Sequence, residues 1–168
     1  MTPAAWLRGH ADLLPVSGRA LDVACGRGRH ALWLAERGLN VLAVDRDAAA
    51  INAVREAATQ RALPVAARVG DLESGDYQLD AAAFDVIVVI HYLHRPLFPA
   101  LLAGLRRGGL LIYETFTRAQ AHRGKPTNPD FLLEEGELRR LVQPLEIVDY
   151  REGLFEEREV ASVVARRS

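Results

Sequence analysis

The chain has 168 residues, of which 49% are hydrophobic and 26% are charged. This composition is typical of one globular domain with a sizeable core. The 21 basic residues nearly balance the 22 acidic ones, so we expect neither nucleic acid nor a membrane surface as a partner. The single cysteine, Cys25, excludes an intramolecular disulfide. No apolar run is long enough to span a bilayer and the start of the chain is charged, so we expect a cytoplasmic protein.

Apolar runs alternate with segments of helical period along most of the chain. The run at residues 86–90 is apolar throughout, as expected for a parallel strand that is covered on both faces. Strands are predicted at 19–23, 40–44, 64–69, 84–90 and 109–115, and helices at 30–37, 47–61 and 96–106. This alternation predicts βαβ units and a parallel sheet.

The last quarter of the chain predicts one helix at 134–142 and two strands at 145–150 and 158–166, the second of which alternates as an antiparallel strand does. We therefore predict an α/β fold, a single doubly wound domain over residues 1–168. Its seven-stranded sheet is mostly parallel with an antiparallel C-terminal strand. Residues 1–18 are predicted to form a helical lid over the ligand. Residues 116–133, which show no clear period, are predicted to form a loop beside it.

A glycine-containing loop connects the first predicted strand to the first helix, with glycines at Gly26 and Gly28. Glycines let the backbone approach a ligand closely at the positive N-terminus of a helix. Nicotinamide, flavin and S-adenosylmethionine proteins all have such loops. Asp22, just before the loop, would repel the phosphates of a dinucleotide and attract the cationic groups of S-adenosylmethionine. The dinucleotide spacing of three glycines is also absent.

Polar residues follow the next three predicted strands, at the edge of the sheet where ligands bind in open α/β folds. Asp45 is placed to accept hydrogen bonds from two ribose hydroxyls. Asp71 could accept from an adenine amino group, and Leu72 could donate its backbone amide. His91 follows the fourth strand and faces the methyl donor. Each residue alone could instead cap a helix or a turn, but their succession at consecutive strand ends favours an adenosyl site.

These residues resemble, in order, the motifs of class I S-adenosylmethionine-dependent methyltransferases from residue 21 to residue 115, with the Rossmann-like fold of that family. Ala24 departs from the pattern, because a glycine usually stands there. The resemblance implies the cofactor S-adenosylmethionine, with S-adenosylhomocysteine as product. The predicted cofactor-binding residues are Asp22, Ala24, Cys25, Gly26, Gly28, Asp45, Arg46, Asp71, Leu72, Ile90 and His91.

Residues 84–94, 110–116 and 128–138 resemble small bacterial methyltransferases related to the tellurite-resistance type. This resemblance implies a cytoplasmic enzyme that methylates a small molecule or an oxyanion, with tellurite as one acceptor to consider. Two other interpretations stay open. A chain that keeps the fold without catalysis would bind S-adenosylmethionine or act as an adaptor, and a nicotinamide oxidoreductase is opposed by Asp22. Protein partners cannot be identified from the sequence.

Methyl transfer needs a base only when the acceptor carries a proton. His91, and after it His94, are the predicted proton acceptors, although either could simply stack on the cofactor, and Tyr92 could orient the acceptor. No recognisable metal-ligand spacing is present, so no metal is predicted. Thr115, Arg118 and Arg123 are predicted to bind the acceptor, and the cations would suit an anion. The alternative is that both arginines are solvated.

Overall fold

Seven strands form one sheet in the computed structural model, which describes residues 1–168. The strands run in the order β3-β2-β1-β4-β5-β7-β6. β7 is antiparallel to both of its neighbours, and the pairs among β1 to β5 are parallel. The predicted fold class is confirmed. The strands are β1 (Arg19–Val23), β2 (Asn40–Asp45), β3 (Val65–Val69), β4 (Phe84–Ile90), β5 (Leu105–Phe116), β6 (Glu146–Phe155) and β7 (Arg158–Arg166).

Five α-helices and four short 3-10 turns connect the strands. The helices are α1 (Ala5–Gly9), α2 (Arg29–Glu36), α3 (Ala48–Gln60), α4 (Phe98–Gly104) and α5 (Glu137–Leu141). The helix predicted at 96–106 is shorter, because a 3-10 turn at Arg95–Leu97 precedes it and β5 already begins at Leu105. α3 starts as its sequence predicts, since the Asp47 side chain accepts hydrogen bonds from the amides of Ala49 and Ala50.

Two hydrophobic clusters cover the two faces of the sheet, which explains why its central strands are apolar without alternation. One cluster contains residues of α1, α2 and α3, and the other contains residues of α4 and α5. Neighbouring residues of one strand therefore belong to different clusters, as Val86 and Ile87 do. No helix is both long enough and apolar enough to cross a membrane.

The N-terminal segment contains the short helix α1, and none of its residues lines the cavity described below. A lid role over a bound ligand stays a prediction. Trp6 and Leu7 are buried in the cluster that contains α2 and α3. The Trp6 indole N–H donates to the carbonyl of Val163, and the Ala4 amide donates to Nε2 of His30. This segment therefore packs against the sheet as part of the core, because burying its aromatic and aliphatic side chains is favourable.

Candidate active site

A cavity of about 340 Å³ lies where β1 to β5 have their carboxyl ends. Its volume is that of an ordinary small-molecule site, and its place at the switch between β1 and β4 is where open α/β sheets bind ligands. Its walls are formed by the carboxyl ends of β2 and β5, by the loops that follow β1 to β4, and by the segment after β5. The lining residues are Ala24, Val44, Asp45, Arg46, Gly70, Asp71, Leu72, Glu73, His91, Tyr92, Leu93, Thr115, Phe116, Pro126 and Phe131.

The loop after β1 has the tight, left-handed path that its glycines predict. Gly28 has φ of 86°, and a Cβ atom there would lie 2.8 Å from the Val54 side chain, so helix α3 leaves no room for a larger residue. The Gly26 amide donates to Oδ2 of Asp45 at 2.8 Å, which joins this loop to the end of β2. Cys25 is buried, and burial raises the pKa of its thiol, so the group is protonated and unreactive.

Ala24 has φ of 53°, a left-handed conformation that is strained for any residue with a Cβ atom. We expect Ala24→Gly to raise the free energy of unfolding by about 0.5–1 kcal/mol, because relief of strain exceeds the added freedom of the unfolded chain. Chemical denaturation measures this change. The control is Ala53→Gly, within α3, which we expect to lower stability by a similar amount. Destabilisation in both variants would contradict strain at Ala24.

Asp22 lies beneath the loop and does not line the cavity. It is 1% exposed, and its Oδ2 accepts the amide of Ala31, in the first turn of α2, at 3.0 Å. Burial raises the pKa of this carboxyl to about 7. The sequence predicts that Asp22 is a fixed negative charge that faces the ligand. The structure instead gives it a role in holding α2 against the loop, and a direct contact with the cofactor stays a prediction.

The other predicted acidic residues do line the cavity. Oδ1 of Asp45 accepts the Asp47 amide at 2.9 Å, and Oδ1 of Asp71 accepts the Glu73 amide at 2.9 Å. A carboxylate offers about four lone-pair directions, so Asp45 and Asp71 keep acceptor capacity for a ligand. Arg46 and Leu72 line the cavity beside them. Cys25, Gly26, Gly28 and Ile90 shape the backbone or the core around the cavity without lining it.

His91 occupies a strained position at the end of β4. Its φ is 58°, and its amide donates to the Glu114 carbonyl of β5 at 2.8 Å. The imidazole stacks on Phe116 with ring centroids 4.6 Å apart, and its Nε2 is buried with no hydrogen-bond partner. Burial, together with Arg158 and Arg29, lowers the pKa of this imidazole to about 4. The ring is therefore neutral near pH 7 and able to accept a proton or a hydrogen bond.

Tyr92 and His94 both contact Glu73 on the loop after β3. The Tyr92 hydroxyl donates to Oε2 of Glu73 at 3.0 Å, and Nδ1 of His94 lies 3.4 Å from Oε1. Burial and this hydrogen bond raise the pKa of Tyr92, so the phenol stays protonated. His94 does not line the cavity. Tyr113 fixes the loop from below, because its hydroxyl donates to the Tyr92 carbonyl at 2.6 Å.

The expected cationic acceptor side is not present. Arg118 pairs with Glu134 at 2.7 Å, and Arg123 pairs with Glu159 at 3.2 Å. Neither arginine lines the cavity, because each guanidinium is held by a glutamate elsewhere on the surface. Of the three predicted acceptor-binding residues, only Thr115 lines it.

The segment after β5 lines the cavity with apolar residues that sequence reasoning did not single out. These are Phe116, Pro126 and Phe131. Phe131 belongs to the Asn-Pro-Asp-Phe sequence at residues 128–131, which is part of the family resemblance but predicts no contact with a ligand. The turn is present as a 3-10 helix capped by Asn128. Sequence reasoning also missed Glu73, whose only signal was its place two residues after Asp71.

The donor set fits S-adenosylmethionine. Asp45 and Asp71 offer carboxylate oxygens for hydroxyl and amino groups, and Val44, Leu72 and Leu93 supply apolar surface for a flat base. No group of three or more His, Cys, Asp or Glu side chains is placed to hold a metal ion.

The family of the chain follows from comparison with known proteins. Residues 20–108, just over half of the chain, match the family model described as a methyltransferase domain. Hemagglutinin 1 of Eikenella corrodens is 30% identical over 141 residues, which are 81% of this chain and 46% of that protein. The chain thus spans about half the length of this curated relative.

Solved structures agree with the fold. TehB from Haemophilus influenzae has a TM-score of 0.80 at 19% identity and covers 97% of this chain, which spans 61% of that one. An S-adenosylmethionine-dependent methyltransferase from Mesorhizobium loti has a TM-score of 0.78 at 18% identity, with 98% of both chains covered. The chain belongs to the methyltransferase-domain family, and S-adenosylmethionine-dependent methyltransferases share its fold.

Proposed function

We propose that this chain transfers the methyl group of S-adenosylmethionine to a small-molecule acceptor that binds in the same cavity. One observation carries the proposal. A single cavity is lined on one side by Asp45 and Asp71, which suit the adenosyl group, and on the other by His91 and Thr115. A cytoplasmic location belongs to this proposal, because the cofactor is an intracellular metabolite.

The residues of the chain contribute mainly by position. S-adenosylmethionine, when bound, supplies an already activated methyl group, so alignment of the acceptor and exclusion of water govern the rate. His91 is the proton acceptor that the geometry favours, because it lines the cavity and its imidazole is neutral near pH 7. His94 is less suited, since Glu73 lies beside its Nδ1 and the ring is outside the cavity. Tyr92 donates its hydroxyl proton to Glu73, so its oxygen is left to accept a hydrogen bond from the bound acceptor.

The tellurite-type acceptor predicted from the sequence is supported by the resemblance and by the likeness to TehB. No observation on the cavity favours it, because the two arginines expected to attract an oxyanion are paired outside. The alternative of a catalytically silent protein has no supporting observation either, since Asp45 and Asp71 both line the cavity.

Calorimetric titration of the chain with S-adenosylmethionine, S-adenosylhomocysteine and NAD tests the proposal. We expect both adenosyl compounds to bind and NAD not to bind, because the carboxylates in the lining repel a diphosphate. Transfer of a labelled methyl group is then measured against a panel of small acceptors. Absence of any adenosyl-ligand binding would reject the cofactor, and binding without transfer to any acceptor would favour the silent alternative.

A further inference from the structure

We propose that the acceptor is an uncharged small molecule with a flat apolar body, seated against Phe116, Pro126 and Phe131, rather than an oxyanion. This inference rests on the proposed function, because it names the class of acceptor that the same cavity takes. It is carried by three observations, on the apolar wall, on the charges that face the cavity, and on the ring stack at His91.

The apolar wall is built to present an exposed aromatic ring. Phe131 is 52% exposed although it lines the cavity. Its backbone is fixed, because Arg95 donates to the carbonyls on both sides of it, at Asp130 (3.2 Å) and Leu132 (2.8 Å). Covering an exposed aromatic ring in the cavity lining with an apolar ligand is favourable, and the fixed backbone reduces the cost of ordering it. Phe131 is therefore suited to bind the body of the acceptor.

The charges that face the cavity oppose an anionic ligand. Three carboxylates line it, those of Asp45, Asp71 and Glu73, against one guanidinium, that of Arg46. Of the other cations of the wall segment, Arg118 and Arg123 pair with glutamates, and Lys125, which precedes Pro126, does not line the cavity. An oxyanion would lose its water shell in this cavity and meet three carboxylates against the single guanidinium of Arg46.

Aromatic surface also continues to the reacting centre. The His91 ring stacks on Phe116 with an interplanar angle of 26°, and both side chains line the cavity. Because the imidazole is neutral, the pair presents an uncharged aromatic surface. A flat acceptor that packs against this pair brings its nucleophilic atom beside His91.

Binding to the protein saturated with S-adenosylhomocysteine tests the inference without requiring turnover. The probes are benzyl alcohol, benzoate and tellurite, followed by ligand-observed NMR. The first two share a ring and differ in charge, and the third is a bare oxyanion. We expect benzyl alcohol to bind at least about tenfold more tightly than either anion, because a charge left unpaired in the cavity costs more than one factor of ten.

Substitution of Phe131 locates the site. We expect Phe131→Ala to weaken benzyl alcohol binding about tenfold and to leave the affinity for S-adenosylhomocysteine unchanged. Leu154→Ala is the matched control, because Leu154 is an exposed apolar residue of β6 outside the cavity, and it should change neither affinity. Arg118→Ala should also change neither.

Several results would overturn the inference. These are tighter binding of benzoate or tellurite, no binding of benzyl alcohol, and equal binding by the Phe131→Ala and Leu154→Ala variants. Failure of the proposed function has a different signature, which is no binding of S-adenosylhomocysteine. The probes are therefore also titrated into the protein without added S-adenosylhomocysteine, so that the acceptor class is decided in either case.

Discussion

The Asp22→Asn variant is expected to gain about 3 kcal/mol of stability over the wild-type chain as the pH rises from 4 to 7. Burial raises the pKa of Asp22 from 3.8 to about 7 in the folded chain. Between these values the folded state holds a proton that the unfolded state has lost, so rising pH destabilises the wild-type chain. Asparagine has no proton to lose, and its Oδ1 still accepts the Ala31 amide. His30 and His91 titrate in both proteins and cancel in the difference.

Urea denaturation of both proteins at several values between pH 4 and pH 8 measures this difference directly. Asp80→Asn is the control, because it makes the same substitution at an exposed carboxyl group. A difference for Asp22→Asn that is constant with pH would show that the buried carboxylate is ionised in the folded chain. In that case the original interpretation of Asp22 as a fixed charge beside a cationic ligand would be restored.

The fold could be predicted because apolar runs that form buried strands recur along the chain, separated by segments of helical period. β1, β4 and β7 begin and end at the residues that the apolar runs predict. β6 is longer than predicted, because it pairs with β7 as far as Phe155, beyond its apolar start. Antiparallel pairing at the edge of a sheet adds backbone hydrogen bonds whatever the side chains are. Composition therefore marks the core strands better than the edge.

The candidate site could be predicted only where the topology alone places a residue. Asp45 and Asp71 follow parallel strands, so the strand-end rule brings them together. Arg118 could not be placed, because whether it faces the ligand depends on its ion pair with Glu134. Phe131 could not be placed either, since its position depends on hydrogen bonds from Arg95, which lies far away in the sequence. Contacts of this kind between distant residues produce no periodic pattern in the sequence from which they could be predicted.

Replacement of Asp45 by alanine is expected to lower the affinity for S-adenosylhomocysteine about 100-fold. Asp45 is the one lining carboxylate that is also bonded to the glycine loop, through Oδ2 and the Gly26 amide. Its remaining lone pairs are predicted to accept the ribose hydroxyls. Alanine removes these two charge-assisted hydrogen bonds and releases the loop from the end of β2, and each loss weakens binding.

Two further variants separate the role of the charge from the role of the loop. The Asp45→Asn variant keeps one acceptor oxygen. We therefore expect its affinity for S-adenosylhomocysteine, measured by calorimetry, to lie between those of the wild-type chain and the Asp45→Ala variant. Asp47→Ala removes the cap of α3, which accepts from Ala49 and Ala50. It should lower stability by about 1 kcal/mol while the affinity stays within about twofold of the wild-type value.

If the Asp45→Ala variant bound S-adenosylhomocysteine as tightly as the Asp47→Ala variant does, the ribose would not lie at Asp45. Asp71 would then become the residue to test for that contact. A loss of affinity in the Asp45 variants alone would instead identify the glycine loop and the end of β2 as one binding unit, because the hydrogen bond from the Gly26 amide joins them in the absence of a ligand.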